Sequence, residues 1–200
     1  MAGGWEGIQM LEAIGKKVAE HEIGKFEKEW DYDMSYAREM MEANFEAFRG
    51  FGEVVKLGSL QGAAPADAMY AAKLATTMAE DCGPCTQLIV KMAEREGVSA
   101  SALRAIVAGD LAAMPAGAAL GYRFAQATLA HDLVELDRLR ADIVQRWGKS
   151  GVVELALAIA IARTYPTIKY AMGYGHTCQQ VRVAGDMVQR GVAMTVGTHA

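Results

Sequence analysis

The sequence predicts an all-α protein, and three observations support this fold class. Only 4 prolines occur in 200 residues, alongside 12 methionines and many alanines, a mixture that favours packed helices over sheets. Apolar residues recur at helical spacing along most of the chain. The runs of Val and Ile are diluted by alanine or have helical spacing themselves, so no strand is expected.

A helical N-terminal extension over residues 1–60 and a core domain over 61–200 are expected, because charge is unevenly distributed. The first 60 residues carry 12 acidic and 7 basic side chains, and the rest carry 12 and 13. In the extension the clearest helix is expected over Met34 to Val55, with a weaker one over Gly7 to Glu20. The run from Gln61 to Pro65 is typical of a linker.

Gly, Pro and capping residues set the helix boundaries expected in the core domain. Gly97 follows a helix as a C′ residue, Ser99 is an N-cap, and Pro166 kinks its helix. Helices are expected over Ala66 to Ala79, Gly83 to Glu96, Ala100 to Val107, Ala118 to Trp147, Val152 to Tyr174 and Thr177 to Arg190.

Composition narrows the classes of partner and compartment. The net charge is −4, which argues against nucleic acid or an anionic membrane, since both require a basic footprint. The N-terminus has no basic or apolar segment of a signal peptide. The most apolar stretch, Val152 to Ala162, contains Glu154 and is shorter than the roughly 20 residues of a membrane span. A cytoplasmic location is therefore expected, and 3 cysteines are too few for a disulfide framework.

The chemistry is concentrated in the C-x-x-C formed by Cys82 and Cys85. Pro84 suits the first turn of a helix, where its missing N–H costs nothing. Cys85 then lies among unpaired backbone N–H groups at the positive end of the helix dipole, whereas Cys82 precedes the helix. Thiol pKa values at such sites fall by one to several units from about 8.5, which favours thiol–disulfide or peroxide chemistry.

Cys-Gly-Pro-Cys is also the thioredoxin string, but thioredoxin places it after a strand, and here helical patterns flank it. The layout instead resembles the carboxymuconolactone decarboxylase family, and within it the alkylhydroperoxidase-like (AhpD-like) branch. The resemblance covers about residues 64–175. It rests on four stretches: Ala71-Ala72-Lys73-Leu74-Ala75-Thr76-Thr77, Cys82-Gly83-Pro84-Cys85, Glu96-Gly97-Val98-Ser99 and Val153-Glu154-Leu155-Ala156-Leu157.

The resemblance implies an all-helical fold, a homo-oligomer (a trimer or hexamer), and a reactive Cys85 with Cys82 as its disulfide partner. No cofactor is expected. The family pattern places a Glu before the first cysteine, a Tyr just before the second, and a His after the second. This sequence has Tyr70, Pro84 and Ile89 at those positions, so the usual proton relay is absent.

A helical hairpin about residues 80–81 would bring further side chains to the cysteines. Positions whose numbers sum to about 160 would face each other, which sets Tyr70 opposite Ile89 and Lys73 opposite residues 85–87. Tyr70, Lys73 and Glu80 share one helix face. Our hypothesis is that Lys73 lowers the Cys85 pKa and that Glu80 handles the proton.

Other interpretations stay open for the cysteines and histidines. The cysteines could be buried structural thiols, or could form a zinc site with His176 and Cys178. Otherwise Cys178 is a structural thiol and His176 a loop histidine with weak acid/base potential. His131 is expected within a helix, and His21 and His199 have no expected role.

A thiol–disulfide oxidoreductase or peroxidase-related enzyme is the favoured function, with a small peroxide or disulfide as substrate. The alternatives are a cofactor-free decarboxylase-type enzyme on a small acid, and a non-enzymatic helical assembly. Glu154 is expected to favour its own helix start through the dipole, or to pair with Arg163 or Lys149.

Overall fold

The computed structural model describes residues 3–58, 62–176 and 180–191. The regular secondary structure in this part of the chain is helical except for one short β-hairpin, which confirms the all-α class. The elements are α1 (Gly3–Trp30), α2 (Ser35–Ala43), α3 (Phe45–Leu57), α4 (Ala66–Ala79), α5 (Gly83–Arg95), α6 (Ala100–Ala108), α7 (Ala116–Ala130), α8 (Leu133–Ala171), β1 (Gln180–Val183) and β2 (Asp186–Gln189). The chain divides into two compact units, Met1–Val55 and Lys56–Ala200.

Within the N-terminal unit, the helix expected over Met34 to Val55 is interrupted at Asn44. Asn44 is extended, with φ −155° and ψ 93°, and its side-chain Oδ1 accepts a hydrogen bond of 3.0 Å from the amide of Ala47. Asparagine competes with the helix for backbone hydrogen bonds, so it ends α2 and caps α3. The expectation of one continuous helix is therefore wrong at this residue.

Helix α4 forms the centre of the second unit and packs against α5, α6, α7 and α8. Every residue from Ala68 to Met78 is buried. The small alanine side chains of α4 let neighbouring helices approach it on all sides. Helix α7 approaches α4 closely at Gly121, where an added Cβ would collide with the carbonyl oxygen of Ala68. The turn that follows α4 is therefore anchored by the most buried element of the unit.

The helix expected over Ala118 to Trp147 is also wrong, because it breaks at His131. His131 has φ 56°, in the left-handed region, and is not within a helix. Asp132 then caps α8 by accepting 3.0 Å from the amide of Glu135. Gly148, the residue after the expected end of that helix at Trp147, interrupts α8 with a φ of 69° and a ψ of −178°, and the helix resumes on the other side.

The C-terminal helix expected over Thr177 to Arg190 is replaced by an antiparallel β-hairpin. Val181 of β1 pairs with Val188 of β2, and the turn residues Ala184 and Gly185 have φ values of 48° and 86°. Two successive positive φ angles are typical of the type I′ turn, whose twist matches that of the strands. Residues 177–179 lie outside the described residues.

By length and composition, α8 is the one helix among the described residues that could cross a membrane, although 44% of its most apolar 18-residue window is buried within the fold.

Glu154 of α8 caps a distant segment rather than its own helix. Its carboxylate accepts hydrogen bonds of 2.9–3.0 Å from the amides of Ala63 and Ala64, just before α4. Burial opposes the charge, but these amides, with Ser150 and Gly62, outweigh burial and hold the pKa of Glu154 below its usual value. The predicted pairing with Arg163 or Lys149 is not what the structure shows.

Glu154→Gln is expected to lower the free energy of unfolding by about 1–2 kcal/mol at pH 7, because charge-assisted bonds to three amides are weakened. A carboxyl with a depressed pKa stabilises the fold above its unfolded pKa of about 4.3 and loses that effect as the pH falls through its folded pKa. The difference from wild type should therefore shrink between pH 5 and pH 3 in urea titrations. The exposed Glu42→Gln is the control, and an equal effect in both variants would contradict the assignment.

Candidate functional site

In the turn between α4 and α5, Cys82 belongs both to the motif that ends α4 and to the cap that begins α5. Asp81 is left-handed, with φ 51°, and the amides of Asp81 and Cys82 donate to the carbonyls of Met78 and Thr77 at 3.1 and 3.2 Å. These are the two bonds of a Schellman motif that closes α4. Cys82 is also the N-cap of α5. The same residue thus ends one helix and begins the next.

Cys82 and Cys85 form a disulfide with 5.3 Å between their Cα atoms. The two residues are 0% and 4% exposed. The amide of Cys85 donates to the Sγ of Cys82 at 3.3 Å. We expected Cys82 to precede the helix and to lie outside the influence of its N-terminal amides. This expectation is wrong, because Cys82 is the N-cap of α5 and its Sγ accepts a hydrogen bond from the amide of Cys85.

The predicted helical hairpin about residues 80–81 is confirmed, with a shifted register. The hydroxyl of Thr86 lies 3.2 Å from that of Thr77 and 2.9 Å from the carbonyl of Cys82. The residue numbers of the facing pair Thr77 and Thr86 sum to 163 rather than 160. Lys73 therefore lies opposite a position nearer to residue 90 than to residues 85–87. Lys73 is therefore farther from the cysteines along the hairpin than predicted.

Lys73 and Tyr70, two of the predicted site residues, contact each other on α4. The Nζ atom of Lys73 lies 4.9 Å from the centroid of the Tyr70 ring, because helical side chains lean toward the N-terminus and cover residue i−3. Burial lowers the pKa of Lys73 against the opposing attraction of Glu96. Burial, with Glu96, raises the pKa of Tyr70 to about 12. The ammonium thus points toward the end of α4 that is remote from the cysteines.

Glu80, the third predicted partner, is the C-cap of α4. Its carboxylate pairs with Arg163 of α8, with 2.7 Å between Oε1 and Nε. One turn past Pro166, the hydroxyl of Tyr170 donates to the carbonyl of Asp81 at 3.0 Å. Helix α8 therefore holds both residues that immediately precede Cys82.

The C-terminal segment supplies contacts that the sequence analysis missed. Arg190, 5% exposed, donates to the Asp81 carboxylate at 3.0 Å and to the Met78 carbonyl at 2.7 Å. The carbonyl of His176 accepts 3.1 Å from the amide of Gly83, the residue between the cysteines and next to Cys82. His176 lies in a loop, as predicted, and it contributes a backbone carbonyl to the site.

Gln87, two residues after Cys85 in α5, binds the hairpin through both ends of its side-chain amide. Its Nε2 donates to the carbonyl of Arg182 at 3.0 Å, and its Oε1 accepts from the amide of Arg182 at 2.7 Å. The sequence signal for these contacts is the alternation of polar and apolar residues over 180–183, followed by Ala184-Gly185, which is typical of the first strand and turn of a hairpin.

No cluster of three or more His, Cys, Asp or Glu side chains suited to a metal occurs in the part of the chain that the structure describes. In this disulfide state Cys82 and Cys85 are bonded to each other, and Cys178, the third cysteine of the zinc alternative, lies outside the described residues.

No family model matches the sequence, and no curated protein or solved structure is significantly similar to it. The resemblance to the carboxymuconolactone decarboxylase family therefore stays a prediction, and the geometry of the α4–α5 turn carries the functional argument.

Proposed function

We propose that this protein is a thiol–disulfide oxidoreductase that cycles Cys82 and Cys85 between the dithiol and the disulfide. The observation that supports the proposal most directly is the hydrogen bond of 3.3 Å from the Cys85 amide to the Cys82 Sγ at the start of α5. A backbone amide in this position stabilises a thiolate more than a thiol, and the thiolate is the nucleophile in disulfide exchange.

In the reducing direction, one thiolate attacks a sulfur of the substrate disulfide, and the first substrate thiolate leaves. The second protein thiolate then attacks the mixed disulfide, and the second substrate thiolate leaves. Two electrons pass to the substrate, and the protein retains its internal disulfide, which an external dithiol reduces again. With a hydroperoxide, the first thiolate is oxidised to sulfenic acid as an alcohol leaves, and the second thiol displaces water.

The geometry supports Cys82 as the attacking thiolate, because its Sγ receives the Cys85 amide. The family resemblance implies Cys85 instead. We assign the attack on the substrate to Cys82 and the resolution of the mixed disulfide to Cys85. The competing prediction is that Cys85 attacks, and trapping of adducts in the Cys82→Ser and Cys85→Ser variants distinguishes the two.

Lys73→Met tests whether Lys73 lowers the pKa of a site thiol. A small rise in the thiol pKa, under about one unit, is expected on removal of a positive charge beyond hydrogen-bond reach. The measurement is the pH dependence of iodoacetamide alkylation of the reduced protein, with exposed Lys149→Met as control. A thiol pKa that is the same in all three proteins would remove Lys73 from the mechanism.

The proposed function itself is tested by equilibrating the full chain with glutathione buffers of graded potential and trapping thiols by alkylation. A single two-electron transition confined to the peptide with Cys82 and Cys85, together with catalysed reduction of a small disulfide, is the expected result. A dithiol and a disulfide that interconvert without accelerating any exchange would contradict it. Reaction with a hydroperoxide, measured in parallel, distinguishes the peroxidase-related form of the activity.

A further inference from the structure

Two consecutive carboxylates precede the cysteine that we assign to the attack. Glu80 and Asp81 are the last residues before Cys82, and the Cα atoms of consecutive residues are about 3.8 Å apart. A negative charge so close to a thiol disfavours its ionisation and raises its pKa. The residues next to Cys82 therefore oppose the thiolate that the amide of Cys85 stabilises.

Each of these carboxylates is paired with an arginine from a distant part of the chain. The Nε atom of Arg163, on α8, lies 2.7 Å from Oε1 of Glu80. The Nη1 atom of Arg190, just after β2, lies 3.0 Å from Oδ1 of Asp81. The side chain of Arg163 is 53% exposed, whereas that of Arg190 is 2% exposed. Water screens an exposed charge far more than a buried one, so Arg190 is the more effective of the two cations.

Arg190 is held at this position by the backbone on both sides of it. Its Nη2 atom donates to the carbonyl of Met78 in the last turn of α4 at 2.7 Å. The amide of the next residue, Gly191, donates to the carbonyl of Val107 in α6 at 2.8 Å. The path of the C-terminal segment therefore fixes the guanidinium against the carboxylate of Asp81.

Tyr170 of α8 experiences the same set of charges. Its hydroxyl donates to the carbonyl of Asp81 at 3.0 Å. Burial, together with Asp81 and Glu80, raises the pKa of Tyr170, and Arg190 opposes the rise. The charged and titratable residues brought to the turn thus come from several elements: Glu80 and Asp81 of the turn, Arg163 and Tyr170 of α8, Arg190 after β2, and the loop residue His176, which binds through its carbonyl.

We propose that Arg190 is a positioning residue that favours the thiolate of Cys82 by neutralising the neighbouring carboxylate of Asp81. Arg163 acts in the same direction through Glu80, with a smaller effect. Because Arg190 belongs to the C-terminal segment, the docking of that segment on the turn sets the thiolate fraction of Cys82. The inference deepens the proposed function and rests on it for the role of Cys82 as the attacking thiolate.

The test measures the pKa of the Cys82 thiol in the variant Cys85→Ser, Cys178→Ser, in which Cys82 is the single thiol of the chain. The ultraviolet absorbance of the thiolate, recorded against pH, gives this pKa without a reagent that must reach the sulfur. In this background Arg190→Met should raise the thiol pKa by about one unit, so that about tenfold less thiolate is present at a pH below the pKa. Arg190→Lys keeps a cation and should leave the thiol pKa close to that of the background protein.

Asp81→Asn separates the effect of charge from a merely structural role of Arg190. Asparagine tolerates the left-handed φ of 51° at this position. Alone, this change should lower the pKa of the Cys82 thiol by about one unit, because the cation of Arg190 is then unbalanced. Combined with Arg190→Met, it should return the thiol pKa to that of the background protein. A thiol pKa that is unchanged in Arg190→Met, or that stays raised in the combined variant, would overturn the proposal.

Arg140→Met is the matched control, because Arg140 forms an ion pair with Asp137 in which both side chains are exposed. It should leave the pKa of the Cys82 thiol unchanged, and a shift equal to that of Arg190→Met would overturn the proposal. If circular dichroism shows that Arg190→Met does not fold, Asp81→Asn decides alone: a lowered thiol pKa supports the proposal, and an unchanged or raised one overturns it. No substrate enters these measurements, so their outcome is separate from whether the reduced protein accelerates disulfide exchange.

Discussion

Cys82→Ser is expected to abolish the reaction of the reduced protein with a disulfide or hydroperoxide, with a loss of at least 100-fold in rate. The sulfur that accepts the hydrogen bond of the Cys85 amide is then absent. The remaining thiol lacks this stabilisation, and a thiol whose pKa lies two units higher is about 100-fold less ionised at pH 7. Cys85→Ser should retain the first step and stall, as a mixed disulfide with glutathione disulfide or as a sulfenic acid with one equivalent of peroxide.

Intact mass spectrometry and peptide mapping of the two serine variants measure this difference. Adducts trapped on Cys85 in Cys82→Ser, with none on Cys82 in Cys85→Ser, would reverse the order and support the role that the family resemblance implies. Adducts in neither variant would indicate a structural disulfide and contradict the proposed function. Both variants should keep the helical circular dichroism of the wild type, which ensures that lost reactivity reflects the missing sulfur.

Gly121→Ala is expected to destabilise the protein by about 2–3 kcal/mol, the upper part of the usual range for overpacking a tight core. The added Cβ would collide with the carbonyl oxygen of Ala68 and lie 2.9 Å from its carbonyl carbon. Backbone atoms of a buried helix cannot rotate away as a side chain can, so α4 and α7 must separate. Urea denaturation at pH 7 measures the change.

Gly117→Ala is the matched control, because it places the same substitution in the same helix. There the new Cβ meets the Asp67 carboxylate at 3.2 Å, the end of a side chain that can turn aside. We expect a change within about 1 kcal/mol, since alanine also has the better helix propensity. Equal losses in the two variants would show that the close approach of α4 and α7 is not what requires glycine at position 121.

Helix boundaries in the middle of the chain could be predicted because local signals decide them. Helices α4, α5 and α6 lie within one residue of their predicted bounds. Pro65 precedes α4, Gly83 and Gly97 flank α5, and Ser99 and Gly109 flank α6. The break at His131 was also encoded locally, since Asp132 and Glu135 have the spacing of a capping box. An unbroken apolar periodicity across residues 118–147 hides that signal.

The C-terminal hairpin is not predicted when the all-α class is assumed to hold for every segment of the chain. The alternation of Val181 and Val183 with polar neighbours is a strand pattern, and burial of both valines stabilises it. A segment this short acquires its structure from what it packs against, which here includes the amide of Gln87 and the carboxylate of Glu94. Such long-range contacts are invisible in the local sequence.

The candidate site was predictable in its residue types and less so in its geometry. The C-x-x-C and the turn about residues 80–81 follow from local chemistry, and the contact of Lys73 with Tyr70 follows from helical spacing. The pairing of Glu80 with Arg163 and of Asp81 with Arg190 depends on how α8 and the C-terminal segment return to α4, which no spacing within α4 and α5 encodes.

The short span of the disulfide has a thermodynamic consequence for its use. Its cysteines are 3 residues apart, and the loop-closure entropy that a cross-link removes from the unfolded chain grows with loop length. For so small a loop the chain-entropy model gives about 2 kcal/mol, compared with about 3 for a loop of 15 residues and nearly 5 for one of 100. Reduction therefore leaves most of the folding free energy in place, and this bond can open and close repeatedly while the helices that carry it stay folded.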